Sequence, residues 1–168
     1  MNIRPETESD HAAIAEVVTK AFGQANEAQL IDRIRHSDRY VPSLSIVVER
    51  DGAVVGHILF SYVDLVSEET RRILALAPVA VQPVFQNQGI GGELVEAGLA
   101  VADSMEEPLV VVLGHPQFYP RFGFEPSVHY AFESPFPVPE NVFMVKPLKH
   151  FHSTYRGNVV YPPAFGEA

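Results

Sequence analysis

The sequence predicts an α/β fold, and three observations predict it. An apolar run, Ile73-Leu74-Ala75-Leu76-Ala77-Pro78-Val79-Ala80-Val81, leads through the glycine-rich turn Gln86-Asn87-Gln88-Gly89-Ile90-Gly91-Gly92 into an amphipathic stretch from Glu93 to Met105. A second apolar run, Leu109 to Leu113, follows Glu106-Glu107-Pro108, and this strand–helix–strand order implies a right-handed crossover between parallel strands. Upstream, Asp51-Gly52 between two strand-like segments is a hairpin signal.

Each element has its own justification. Ile3 belongs to a short opening strand. Thr7 or Ser9 offers an N-cap for a helix running to about Phe22, with Ile14, Val17, Val18 and Phe22 on one face. A second helix from about Asn26 to His36 turns Leu30, Ile31 and Ile34 inward. Ser45 to Arg50 and Val54 to Asp64 form the arms of the hairpin, and the next strand runs from about Arg72 to Val81. The helix after the glycine turn spans about Ile90 to Met105, with Leu94, Ala97, Val101 and Met105 close to helical spacing. Beyond Gly114, the prolines at 116, 120, 126, 135, 137 and 139 confine regular structure to short pieces, Asn141 to Val145 being the clearest late strand. The tail Tyr161-Pro162-Pro163-Ala164-Phe165 is expected to pack as an extended segment. No linker, repeat or low-complexity tract divides the chain, so residues 1–168 read as one domain with a proline-rich tail from about 148.

Composition narrows the function classes. At 168 residues, with 46% hydrophobic and 20% charged residues, the chain is long and apolar enough for a substantial core. A formal charge of −9 disfavours non-specific nucleic-acid binding, which relies on clustered Lys and Arg. There is no cysteine, so thiol chemistry here requires a sulfur supplied by a co-substrate. The opening segment lacks a signal-peptide apolar core, and no stretch has the length of a transmembrane helix, so a cytoplasmic protein without membrane contact is the expectation.

The glycine turn carries the chemistry. Glycines there let backbone N–H groups approach a ligand without a Cβ in the way. The first turn of a helix leaves its N–H groups unpaired and carries partial positive charge, which suits it to a pyrophosphate. The alternative is a turn that merely joins two elements. A dinucleotide-binding reading fails on spacing, because the required third glycine position holds Leu94.

Downstream stands Phe118-Tyr119-Pro120-Arg121-Phe122-Gly123-Phe124-Glu125-Pro126. Together with the glycine turn in its strand–helix context, this segment resembles the GNAT family of acetyl-CoA-dependent N-acetyltransferases. The family's phosphate-binding pattern, Gln/Arg-x-x-Gly-x-Gly/Ala, is met by Gln86, Gly89 and Gly91, and its later Tyr…Gly-Phe motif by Tyr119, Gly123 and Phe124. The resemblance covers roughly Met1 to Pro147, and within the family the chain looks most like the YhbS-type subgroup of bacterial predicted acetyltransferases.

The resemblance implies a mixed, twisted central sheet with helices on both faces and two parallel strands that splay apart, pantetheine entering the gap. Pro78 would mark the family's strand bulge, and backbone groups of Val79 and Val81 would hydrogen-bond pantetheine. The N–H groups of Gln88, Gly89, Gly91 and Gly92 would hold the pyrophosphate, with Gln86 shaping the loop entry. Tyr119 occupies the family's position for the general acid that protonates the departing CoA thiolate. The implied reaction is transfer of acetyl from acetyl-CoA, as co-substrate, to the primary amine of a small molecule or peptide, by direct attack. Many family members form homodimers, and the sequence leaves the oligomeric state open. A CoA-binding regulatory or structural protein that kept the cleft but lost turnover would carry the same cofactor residues.

The base is less defined. Glu27, His57, Asp64 and His115 are candidates by position; a scaffold role fits the histidines, and a solvated surface charge fits the two carboxylates. Where many relatives carry Asn after the corresponding strand, this chain has Gly114-His115-Pro116. His150, His152 and Tyr155 lack the clustered carboxylate that a metal site needs, so no metal is expected. Phe132, Phe136 and Phe143 fit either an acceptor pocket or the core.

Overall fold

The hairpin sets the frame from which the sheet grows. Asp51 and Gly52 adopt φ values of 53° and 80°, the left-handed pair that lets a two-residue turn follow strand twist. In the computed structural model, which describes residues 1–166, the elements run in chain order β1 (Asn2–Pro5), α1 (His11–Phe22), α2 (Asn26–Arg35), β2 (Tyr40–Arg50), β3 (Ala53–Val66) and β4 (Thr70–Val81). They continue with α3 (Ile90–Ser104), β5 (Leu109–Leu113), β6 (Glu125–Pro126), β7 (Phe132–Glu133), β8 (Phe143–Pro147) and β9 (Gly157–Val160). The sheet order is β1-β2-β3-β4-β5-β8-β6, with β9 joining β3 and β7. β4 and β5 are parallel neighbours, joined by α3 as the crossover predicts.

Helices cover both faces. Along β2, Ile46 and Val48 pack with Leu94, Val95 and Leu99 of α3, whereas the intervening Val47 packs with Ile14, Val18, Ile31 and Ile34 of α1 and α2. That alternation is the period-two pattern of a strand buried on both sides. A third cluster closes the far end, where Val63, Leu65, Ile73 and Val111 meet Phe132, Phe143 and Val159.

Two irregularities position the site. Between the pairs Ile58↔Val79 and Phe60↔Leu76, β3 supplies Leu59 while β4 supplies Ala77 and Pro78. This is a bulge at the expected proline, which has no N–H to give a ladder. The parallel pair β4–β5 is also brief: Leu74 faces Val110 and Ala75 faces Val111, after which β4 runs on to Val81 and β5 to Leu113 without pairing to each other.

Four expectations shift. Phe22 does not face the core but is 42% exposed, at the last turn of α1. The buried stripe of α3 is Ile90, Leu94, Val95, Gly98, Leu99 and Ala102, rotated from the expected one so that Met105 is exposed; packing of Phe60 against the bare Gly98 draws that side inward. The tail is not extended throughout, since Pro163–Phe165 forms a helical turn and Arg33 of α2 donates to the Ala164 carbonyl at 2.9 Å. Before it, Gly157–Val160 is a strand that sequence pattern alone does not mark.

Candidate active site

Beyond the last β4–β5 pair, the end of β4 and the segment that follows β5 border a cleft of about 850 Å³, lined by Val79, Val81, Gln86, Gly89, Gly91 and Gly92 together with His115, Phe118 and Phe122. Six of the sequence-predicted cofactor residues thus meet in one hollow. The phase of the ladder explains why. Gln82 N–H donates to the Val55 carbonyl at 2.8 Å, so in this register Gln82 and Ala80 bond toward β3, while Val79 and Val81 present their main-chain groups to the opposite edge. There the Val81 carbonyl accepts from the Gln86 side-chain amide at 3.0 Å, which ties the loop entry to the strand end.

The loop itself is short of acceptors. Gly89 is the N-cap of α3 at φ 84°, and no side chain caps the helix. A residue with a Cβ is strained in this left-handed conformation. Glu93 N–H closes the first helical bond to the Gly89 carbonyl at 3.1 Å. The amides of Gln88, Gly89, Gly91 and Gly92 have no protein acceptor among the described residues. Gln88 departs in one respect: its side chain lies outside the cleft, accepting from Arg50 at 3.2 Å.

Tyr119 lies beneath the cleft rather than on its open wall. It is 6% exposed and belongs to the main core. Phe118 and Phe124 hold its ring edge-on at 5.0 and 5.5 Å, and the ring passes over Gly114, where a Cβ would stand 2.3 Å from Cε2. Gly114 directly follows β5, so the ring edge packs against the chain just past the end of that strand. Burial pushes the phenol up to about 12.

Of the four candidate bases, only His115 lines the cleft. Asp64 is clasped by Arg39 at 2.9 and 3.2 Å. Glu27 accepts from Gln24 at 3.1 Å and faces a separate hollow beside Leu30 and Arg33. His57 is fully buried and bonds to Ser45 at 2.9 Å. Phe132 and Phe143 are core residues, 2% and 1% exposed.

His57 belongs to a network that the sequence did not reveal. The buried Glu6 carboxylate accepts from Arg35 at 2.9 and 3.0 Å, from Tyr40 at 3.0 Å and from Ser45. Burial would raise the Glu6 carboxyl, but hydrogen bonds from His57, Arg35 and Ser45 overcome it and hold the group well below the usual carboxylate range. Burial also lowers the His57 imidazole. Nothing in local spacing joins residues 6, 35, 45 and 57; the packing of α2 against the sheet and the pairing of its strands do. Because His57 pairs with Ala80, between Val79 and Val81, the network braces the strand that forms the cleft wall.

The acetyltransferase (GNAT) domain family matches residues 2–127. The chain belongs to the GNAT family. Among GNAT relatives, the uncharacterized N-acetyltransferase YjhQ of Escherichia coli strain K12 is 39% identical over 134 residues, covering 79% of this chain and 74% of YjhQ. The uncharacterized N-acetyltransferase YhbS of the same strain is 32% identical over 148 residues, 88% of this chain and 87% of YhbS. The crystal structure of E. coli YhbS in complex with CoA superposes with a TM-score of 0.89 at 31% identity, covering 99% of this chain and 92% of that one. A GNAT acetyltransferase from Brucella melitensis in complex with acetyl-CoA gives 0.80 at 32% identity, with 98% and 97% covered. The Gln86–Gly91 pattern of the GNAT motifs lines the cleft through its loop, whereas Tyr119, Gly123 and Phe124 belong to the turn that follows β5, with Tyr119 and Phe124 buried in the core beside it.

Proposed function

We propose that the protein transfers acetyl from acetyl-CoA to a primary amine by direct attack, without an acetyl-enzyme. The observation that carries this reading is the conjunction of four acceptor-free amides at the start of α3 with a parallel strand pair that opens beside them. The amides suit a pyrophosphate. The free edge at Val79 and Val81 suits pantetheine laid alongside as an added strand. Relatives whose structures hold CoA and acetyl-CoA support the same ligand.

In this reading the amine nitrogen forms the new C–N bond at the thioester carbonyl, and the oxyanion that develops is met by a main-chain N–H of β4 beyond the bulge. The C–S bond then breaks, and Tyr119 supplies a proton to the departing sulfur. A phenol raised to about 12 exceeds an ordinary thiol by roughly 3.5 pH units. A thiolate forming beside the same apolar rings loses water as the phenol does, which raises it too and narrows the gap. The nitrogen's proton leaves through solvent reached from the cleft mouth, where His115 stands.

Calorimetry with acetyl-CoA, followed by release of free CoA thiol on a panel of primary amines, tests the proposal. Saturable binding and turnover on at least one amine are expected, with Tyr119→Phe lowering kcat by about 10²-fold and leaving acetyl-CoA binding intact. Absence of binding overturns the reading. Binding without turnover on any acceptor assigns the cleft to a CoA-binding protein instead.

A further inference from the structure

The cleft continues past the glycine loop, away from the splayed strands. Successive turns of α3 carry its floor from Gly92 and Glu93 to Glu96, and from there an adjoining hollow of about 410 Å³ runs on to Asp103. The two hollows share Glu96, Arg121 and Phe122. Arg121 is the single Arg or Lys lining the first, and Lys146 joins it in the second. In a chain of net charge −9 these two cations stand out.

Both cations are held in place without being neutralised. The Arg121 guanidinium lies over the Phe118 ring at 4.7 Å and the Phe122 ring at 5.7 Å, and its Nε donates to the Phe118 carbonyl at 3.3 Å. Lys146 Nζ rests against the bare Cα of Gly123, where a Cβ would stand 2.5 Å away. Among the described residues neither makes an ion pair. Of the carboxylates in the second hollow, Asp103 already accepts the Lys149 amide at 3.2 Å, and Glu96 lies across on α3.

Resting on the acetyl-CoA reading above, we propose that Arg121, backed by Lys146, is a specificity-determining pair that holds the 3′-phosphate of the cofactor's adenosine. If the pyrophosphate sits on the loop and pantetheine runs toward Val79, the adenosine half must leave along α3 toward Phe122. The phosphate it carries then meets the cations the cleft supplies. A guanidinium preset over two rings loses little freedom on binding a phosphate. The neutral amides of the loop hold the pyrophosphate common to CoA and its 3′-dephospho form, whereas the cation pair distinguishes the two.

The test compares CoA with 3′-dephospho-CoA by calorimetry on the full chain and on Arg121→Gln and Lys146→Gln. The wild type is expected to bind CoA on the order of ten-fold more tightly than dephospho-CoA, with the ratio shrinking as salt rises. Arg121→Gln should bring the ratio close to one by weakening CoA while dephospho-CoA binds as before; Lys146→Gln should shrink it partway. Equal affinity of the wild type for the two ligands overturns the assignment and leaves the acetyl-CoA reading standing. A loss shared equally by both ligands in Arg121→Gln also overturns it, because the residue then serves the pyrophosphate or the shape of the wall. Failure of the wild type to bind either ligand removes the acetyl-CoA reading and this assignment together.

Discussion

Gly114→Ala asks whether the placement of the Tyr119 ring governs turnover. A Cβ at this position would stand 2.3 Å from Cε2 and 2.9 Å from Cδ2 of Tyr119, where ordinary contact begins near 3.4 Å. The ring edge must therefore retreat by about 1 Å, against Phe118 and Phe124, whose centroids lie 5.0 and 5.5 Å away. Overpacking of this kind costs about 1–3 kcal/mol, which lowers Tm by roughly 5 °C in a chain of this size. The same displacement moves the hydroxyl, and 1 Å of misplacement costs a catalytic group about 10²-fold. The assay measures CoA thiol release with an amine found by the acceptor panel, alongside acetyl-CoA binding. The expected outcome is a fall in kcat with binding retained. A double-mutant cycle with Tyr119→Phe decides the cause. If the substitution acts through Tyr119, Gly114→Ala lowers kcat no further once the hydroxyl is gone. Full additivity of the two losses, or unchanged turnover in Gly114→Ala, refutes the reasoning.

Other perturbations probe the loop, the core and the buried network. Gly89→Val places a β-branched residue at φ 84°, and Gly91→Val grows into the space bounded by Phe118 and Val81 at 3.8 and 3.9 Å; each should raise the acetyl-CoA Kd by at least about ten-fold, read by calorimetry on folded protein. Gly98→Ala sets a Cβ 2.0 Å from Phe60 Cε1 and should cost about 3 kcal/mol in urea unfolding, since both residues are locked in the core. Glu6→Gln leaves Arg35 buried without its counter-charge and should cost about 3–5 kcal/mol, seen as a drop in Tm of roughly 10 °C. Lowered His57 and Glu6 values give acidification a definite sign. The unfolded chain takes up a proton at His57 below about 6.5 while the folded chain resists, so stability falls as pH drops from 7 toward 5. A second loss follows below about 4.3 as Glu6 protonates in the unfolded chain first. A thermal-melt series from pH 7.5 to 4 checks this, and His57→Gln should flatten the upper limb.

How far the sequence could be read follows from the range of the interactions involved. The loop is local: Gln86, Gly89 and Gly91 lie within one turn, so their spacing already implies bared amides, and the structure provides them, adding a left-handed φ at Gly89. β5 and the crossover were legible for a similar reason, because a run of consecutive apolar residues, of which Leu109 to Val112 are buried, needs cover on both faces. The strand Gly157–Val160 was not legible, since its partners are Val66 and Phe132, far away in sequence. The α3 face was misjudged because Gly98 counts as neutral in a hydrophobic pattern, yet it is the residue on which Phe60 packs. Phe22 reads as core by spacing, but its place in the last turn of α1 leaves it beyond the sheet.

The site divides along the same line. Binding rests on main chain, at Val79, Val81 and the amides from Gln88 to Gly92, and side-chain identity matters there chiefly through what glycine omits. Such a site is legible from a few glycines in context. Side-chain chemistry is harder to read, because a titratable residue means different things at different depths. His57 and His115 look alike in the sequence, yet one is sealed at 0% exposure among Ser45 and Glu6 while the other lines the cleft. Asp64 is neutralised by an arginine 25 residues away, and Arg121, which resembles any surface cation in the sequence, is set over two rings of its own turn. Absence of a counter-charge does not by itself mark a ligand residue, since among the described residues Arg33, Arg50, Lys149 and Arg156 also make no ion pair. What separates Arg121 and Lys146 from these is place: they line the hollows that run along α3 from the glycine loop, and that position is visible only once the chain is folded.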